Sequence, residues 1–171
     1  MMIEKLKTED FDRFYAIIEQ SFPLDEHRTY EEHKALTEEQ KYTAYVAEDV
    51  CGLITVYDFD EFVYVEHFAV APECRGSGLG SEMLRWLCKK IGRRICLEVE
   101  PPETEFAKRR IAFYQRNGFT LNNYPYIQPP ISAGRKAIPL MIMTSGGGVT
   151  QDEFLQIKDV LYKEVYHISD I

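Results

Sequence analysis

The chain has 171 residues, with 20 basic against 28 acidic side chains and a net charge of −8. The length is that of about one domain and allows a core that needs no disulfide or metal. The acidic balance argues against nucleic acid as partner, because neutralising phosphates needs a basic face, and it suits cationic small molecules or basic peptides.

Residues 2–6 read as a first strand. Thr8 suits an N-cap, and Phe11, Phe14, Tyr15, Ile17 and Ile18 then recur at helical spacing until Pro23. A more polar helix is predicted over 30–39. Strands follow at 42–47 and 51–59, joined at Glu48-Asp49 as a hairpin, and a third at 62–70 is rich in aromatics and Val. Residues 79–91 form an amphipathic helix with Leu79, Met83, Leu84, Leu87, Cys88 and Ile91 on one face. A short strand at 94–99 stops at Pro101-Pro102. The next helix covers 105–116, with Gly118 as its C′ residue and a strand from Phe119. Residues 124–134, with three prolines, are expected to be a loop before a strand at 137–143. After Ser145-Gly146-Gly147-Gly148, the capping box Thr150-Gln151-Asp152-Glu153 opens a last helix to about residue 166.

The order is that of a single mixed α/β domain over 1–144, a glycine hinge at 145–149 and a C-terminal helical segment at 150–171, packing on the same domain or on a partner subunit. No apolar run approaches the roughly 20 residues of a membrane span, and the start Met1-Met2-Ile3-Glu4-Lys5-Leu6-Lys7 leads into no signal-like apolar segment. Cys51, Cys74, Cys88 and Cys96 lack CxxC spacing, and His27, His33, His67 and His167 lack HExxH or paired spacing. No metal site is therefore expected, and the thiols read as free ones in a reducing cytoplasm.

The strongest chemical signal is Val70-Ala71-Pro72-Glu73-Cys74-Arg75-Gly76-Ser77-Gly78-Leu79-Gly80-Ser81, a strand running through a glycine turn into a helix. Glycines allow positive φ and close approach of a ligand to the backbone. N–H groups converging at a helix N-terminus bind phosphate, and Arg75 adds a charged contact. A Walker loop would need a lysine that is absent. The dinucleotide pattern G-x-G-x-x-G fits only in part, and Pro72 to Arg75 intervene between strand and glycines. Arg/Gln-x-x-Gly-x-Gly/Ala fits at every position.

A second motif, Arg110-Ile111-Ala112-Phe113-Tyr114-Gln115-Arg116-Asn117-Gly118-Phe119, follows. Together the two motifs resemble the GNAT superfamily of acyl-CoA-dependent N-acyltransferases, over most of residues 3–143. The resemblance implies a mostly antiparallel twisted sheet, splayed at its centre, with helices on both faces and acetyl-CoA in the gap. It implies backbone contacts to pantetheine and thioester from Phe68, Ala69 and Val70. Arg75, Gly76, Ser77, Gly78, Leu79, Gly80 and Ser81 would hold the pyrophosphate, and Tyr114 would protonate the leaving thiolate. Ala107 and Arg110 depart from the Asn and Ala common in the family, which puts one polar contact in doubt.

Acyl transfer to a lysine-like amine needs the neutral form, at a cost of about 4.6 kcal/mol at pH 7 for a pKa of about 10.4. A general base can take that proton. Glu66 is the first candidate, with a pKa expected to rise by desolvation. Strand alternation puts Glu66 on the face of Phe68 and Val70, and His67, the runner-up, on the opposite one. Glu98 and Glu100 are read as making structural hydrogen bonds. No cysteine has the position of a nucleophile, so direct attack by the amine is expected. For the acceptor, Asp25 and Glu26 offer charge, and Tyr57, Phe59, Tyr124 and Tyr126 an aromatic wall. The acceptor is a small-molecule or peptide amine, and a homodimer is expected. A non-catalytic acyl-CoA-binding module is the alternative, and a nucleotide-binding oxidoreductase the third reading.

Overall fold

The computed structural model describes residues 1–168, so the last three positions of the expected 150–171 segment lie outside the described residues. The seven strands follow the order β1-β2-β3-β4-β5-β7-β6 in one mostly antiparallel sheet. Backbone proximity divides the chain into two compact units, Met1–Leu97 and Glu98–Ile171.

The first unit holds β1 (Ile3–Lys5), α1 (Phe11–Ser21), α2 (Tyr30–Leu36), β2 (Tyr42–Ala47), β3 (Gly52–Asp58), β4 (Val63–Val70), α3 (Leu79–Ile91) and the start of β5 (Ile95–Val99). β1 to β4 pair antiparallel in succession. α1 buries the predicted stripe of Phe11, Phe14, Tyr15, Ile17 and Ile18. Thr8 opens a 3-10 turn over Thr8–Asp10 instead of capping α1, whose own N-cap, Asp10, makes no side-chain cap bond. Thr29 caps α2 by accepting from the Glu32 N–H at 3.2 Å. This helix stops three residues earlier than expected, where the Thr37 hydroxyl bonds back to the Lys34 carbonyl at 2.6 Å.

The β2–β3 turn is wider than the expected pair, because Glu48, Asp49 and Val50 all have positive φ, at 49°, 56° and 63°. Next to it lies a correction to the reading of the thiols. Cys51 and Cys74 form a disulfide, with Cα atoms 5.9 Å apart, whereas Cys88 and Cys96 are free. A separation of 23 residues carries no local spacing signal; it is the β3–β4 hairpin that brings the two together.

The second unit holds the end of β5, α4 (Glu105–Arg116), β6 (Phe119–Gln128), β7 (Ile138–Ser145) and α5 (Gln151–Val160), which widens into a π-helical turn at Leu161–Val165. Thr104 caps α4, and Gly118 follows the helix at φ +89°. β6 runs on to Gln128, through the first part of the segment expected to be a loop, and residues 129–134 are the loop. Its pairing with β7 is irregular between Asn122 and Tyr126, so Pro125 sits where a missing N–H interrupts no regular ladder. The glycine segment before α5 is tied at both ends. The Thr144 hydroxyl donates to the Gly147 carbonyl at 2.8 Å, and the Val149 N–H donates to Asn122 Oδ1 at 2.9 Å. Thr150 caps α5 through the Glu153 N–H at 3.2 Å. No helix among the described residues is long and apolar enough to cross a membrane.

Candidate active site

The site begins with an irregularity in β4. Val56 of β3 pairs with Val65 and Thr55 with His67, so Glu66 is an extra residue with no opposite number. This is a β-bulge, in which two residues of one strand face one of its neighbour. The Thr55 hydroxyl, fully buried, accepts the His67 backbone N–H at 2.9 Å. The bulge corrects the expectation from alternation: Glu66 and His67 are not on opposite faces, and Glu66 Oε2 lies 3.6 Å from His67 Nδ1. The parallel pairing of β4 with β5 ends at Val65 and Leu97, one residue before the bulge, while β4 continues to Val70. The β4–β5 ladder therefore stops where the geometry of β4 changes.

Glu66 also pairs with Arg28, which donates to Glu66 Oε1 at 2.7 Å, the two side chains being 1% and 8% exposed. Arg28 further donates to the Tyr57 hydroxyl at 3.3 Å. Burial pushes the Glu66 carboxyl up, but Arg28, His67 and His33 together outweigh it and hold it well below the usual carboxylate range. The expected upward shift is thereby overturned, because desolvation is opposed by a close buried cation. Glu66 in this arrangement is the counter-ion of the Arg28 guanidinium. Burial, with the charges of His67, Arg28 and His27, pushes His33 down to about 3 against the pull of Glu66. His33 Nε2 lies 3.1 Å from the Tyr42 hydroxyl. His67 Nε2 lies 2.9 Å from the Glu26 carbonyl, which can only accept, so that nitrogen carries a proton and Nδ1 is the one left facing Glu66. Asp25 and Glu26 thus lie on a 3-10 turn that is pinned through its backbone to the bulge. Sequence reasoning missed Arg28 and His33 as members of this cluster, since neither stands at a telling distance from Glu66 along the chain.

Beyond β4 the chain makes a 3-10 turn at Pro72–Cys74, anchored by the disulfide, and enters the glycine loop. Gly76 and Gly78 both have φ +84°, and the direction a Cβ would take at each is open. Gly78 is the N-cap of α3 and brings no side chain to its first turn. Helix geometry leaves the Leu79 and Gly80 N–H groups without intrahelical partners, and the helix dipole adds partial positive charge there. Arg75 donates from Nε to the Val70 carbonyl at 3.0 Å, and the Ser77 hydroxyl donates to the Cys74 carbonyl at 3.0 Å. Both side chains brace the loop. Of the expected pantetheine contacts, Ala69 pairs with Leu53 and Phe68 with Ile54 across the β3–β4 ladder.

In the second unit Tyr114 is buried on α4, with its ring edge-on to Phe113 and Phe119 at 5.4 and 5.8 Å between centroids. Ala107 is buried too, and its N–H is held by the Thr104 hydroxyl at 3.0 Å. Arg110 lies over the Phe106 ring at 5.8 Å. The Tyr126 and Tyr166 hydroxyls donate to the two oxygens of Glu98, at 2.5 and 2.6 Å. Burial and the Glu98 charge raise the Tyr126 phenol well above its ordinary value. The Tyr124 hydroxyl donates to the Val149 carbonyl at 3.0 Å. Tyr124 and Tyr126, two of the three tyrosines put forward for the acceptor, therefore have their hydroxyls engaged within their own unit.

The chain whose bulged strand leads through positive-φ glycines to a helix N-terminus is similar in sequence and fold to known proteins. The family model described as "Acetyltransferase (GNAT) domain" matches residues 40–121. A solved structure, "Putative acetyltransferase from GNAT family from Bacteroides thetaiotaomicron", is 37% identical, with 99% of this chain and 100% of that chain covered and a TM-score of 0.88. "Putative acetyltransferase YjbC" of Bacillus subtilis (strain 168) is 31% identical over 108 residues, covering 62% of this chain and spanning 56% of that protein's length. An aminoglycoside 6'-N-acetyltransferase complexed with coenzyme A shares the fold at 17% identity and a TM-score of 0.59, over 85% of this chain and 96% of its own. The chain belongs to the GNAT family of acetyltransferases.

Proposed function

We propose that the protein is an acetyl-CoA-dependent N-acetyltransferase that moves the acetyl group to a primary amine by direct attack on the thioester in a ternary complex. The observation that carries this reading is the glycine loop: two residues at φ +84° lead into the bare N-terminus of α3, soon after the strand that bulges at Glu66. Backbone N–H groups from Gly76 to Ser81 would take the pyrophosphate, with Arg75 shaping the loop, and the Phe68–Ala69–Val70 backbone would line the pantetheine and thioester. A β4 N–H would stabilise the tetrahedral oxyanion. Tyr114 would protonate the thiolate. The carboxylates of Asp25 and Glu26 would draw a cationic amine, and the rings of Tyr124 and Tyr126 would supply apolar contact. The structural neighbour named as an aminoglycoside acetyltransferase fits an amine acceptor. The same reading takes the protein as cytoplasmic and as a homodimer, the latter tested by sedimentation.

The test is calorimetric titration with acetyl-CoA, followed by a panel of amines scored for thiol release. Micromolar binding with release on some amine is expected, and no binding overturns the reading. Tyr114→Phe should slow release by about 10²–10⁴-fold and remove the basic limb of the pH profile. One observation favours the second reading, a non-catalytic acyl-CoA-binding module. The Glu66 carboxylate is bound to Arg28 and poorly suited to accept a proton. Binding without release on any amine, unchanged by Tyr114→Phe, would select that reading.

A further inference from the structure

The bulge in β4 does more than turn the strand. His33 from α2 and Glu66 and His67 from β4 each offer one ligand atom, all within 4.8 Å of one another. Among the described residues, His33 Nδ1, His67 Nδ1 and Glu66 Oε2 are buried and have no hydrogen-bond partner. His33 and His67 are 0% and 1% exposed, and the Glu66 side chain 1%. Three orphaned polar atoms in so dry a place are uncommon, because each carries an uncompensated desolvation cost.

The opposite atom of each group is already engaged. His67 Nε2 meets the Glu26 carbonyl at 2.9 Å, His33 Nε2 meets the Tyr42 hydroxyl at 3.1 Å, and Glu66 Oε1 holds Arg28 at 2.7 Å. This is how metal-binding imidazoles and carboxylates are oriented: the far atom is fixed by an outer partner, so the near one points at the ion. We propose that His33, Glu66 and His67 form a binding site for a divalent transition-metal ion of the zinc class, with water as its fourth ligand.

Two imidazole nitrogens and one carboxylate oxygen suit such an ion and not Ca²⁺ or Mg²⁺, which want oxygen ligands. Bonds of about 2.0–2.1 Å in a tetrahedral shell place ligand atoms about 3.3 Å apart. Glu66 Oε2 and His67 Nδ1 already stand at 3.6 Å, and with every pair within 4.8 Å no pair need close by more than about 1.5 Å. Arg28 neutralises the Glu66 carboxylate, so the ion keeps its own charge in a buried place. That sets affinity below that of an all-anionic zinc site and favours a hydroxide as fourth ligand. An ion on Oε2 withdraws that oxygen from proton transfer, so this site and a general-base role for Glu66 exclude each other.

The test uses full-length protein refolded from denaturant with Zn²⁺, or with Co²⁺ as a coloured probe, then passed through gel filtration. Elemental analysis should find one Zn²⁺ per chain. His33→Gln and His67→Gln, each checked for folding by circular dichroism, should retain less than a tenth of that. The Co²⁺ form should show the intense visible bands of four-coordinate nitrogen–oxygen ligation. If the variants fail to fold, the wild-type Co²⁺ spectrum decides alone. Wild type that emerges metal-free, weak six-coordinate bands only, or equal retention by the folded variants would each overturn the site. Metal-free wild type would leave the three atoms to an internal water.

Discussion

Replacing Gly52 with alanine tests how tightly α3 is seated on the sheet, and through it how firmly the glycine loop is held. A Cβ built at Gly52 would lie 2.4 Å from Met83 Sδ, 3.1 Å from Met83 Cε and 3.6 Å from the Ala69 carbonyl. Ordinary contact begins at 3.4 Å, so the sulfur must retreat by about 1 Å. It has nowhere easy to go, since Met83, Leu84 and Leu87 are all 0% exposed. Overpacking of this kind costs about 1–3 kcal/mol, and the lower entropy of the unfolded alanine chain offsets about 0.4–1 kcal/mol. A net loss of about 1–2 kcal/mol is expected, or a fall in Tm of roughly 2–8 °C for a chain of this size. Met83→Ala alone should cost about 2–5 kcal/mol through the cavity it leaves. In the double variant the new methyl enters that cavity, so the pair should be more stable than the sum of the singles by about 1–2 kcal/mol. Urea denaturation of all four proteins measures the cycle. Additivity within about 0.5 kcal/mol, or a Gly52→Ala protein as stable as wild type, would refute the packing argument. Because the contact sits on the helix that the loop opens, Gly52→Ala should also weaken acetyl-CoA binding in calorimetry.

A Cβ added at Gly78 meets no atom of the protein, so the cost of Gly78→Ala is left-handed strain, about 1–2 kcal/mol, and Gly78→Val adds a branched side chain to that strain. Acetyl-CoA binding should be lost in the valine variant, and unchanged affinity in a folded Gly78→Val protein would show that the loop is not the cofactor cradle. Arg28→Met leaves the Glu66 carboxylate buried without its cation and should destabilise by about 3–5 kcal/mol at pH 7. In the metal-free wild type the folded Glu66 pKa lies below the ordinary value of 4.5, so its stabilisation is present above pH 4.5 and declines as pH falls below it. The deficit of Arg28→Met should therefore be smaller at pH 4 than at pH 7 in urea melts; an equal deficit would show that the ion pair is not its source. Reduction of the Cys51–Cys74 bond frees a closed segment spanning 23 residues of separation and should cost about 3 kcal/mol, read as a lower Tm in dithiothreitol that Cys51→Ser reproduces.

The parts of the fold that the sequence made legible are those with local rules. α3 and α4 have the predicted ends, 79–91 and 105–116, because an apolar stripe, a capping threonine or glycine, and a left-handed stop coincide at each. The glycine loop was legible for the same reason. What could not be read depends on partners far along the chain. The Glu66 bulge rests on the Thr55 hydroxyl taking one backbone N–H, which a count of alternating residues cannot register. The Glu66 pKa was judged from its neighbours in the strand, whereas Arg28, 38 positions away, determines it. Of the prolines after Tyr124 that argued for a loop, Pro129 and Pro130 do lie past the end of the strand, whereas Pro125 falls at the irregular stretch of β6 and leaves the strand intact.

The two phenols on Glu98 carry a consequence for how the second unit opens. Tyr126 lies on β6 and Tyr166 just past the π-helical turn, and one carboxylate accepts from both. Tyr162 adds a bond from the same turn to the Ile127 carbonyl. Lifting the C-terminal helix would break both of these links and take the Tyr166 hydroxyl from Glu98. Amide protons of the helix and of the neighbouring β6 stretch should then exchange with solvent at one common rate, as a single cooperative opening and not as an end that frays by itself.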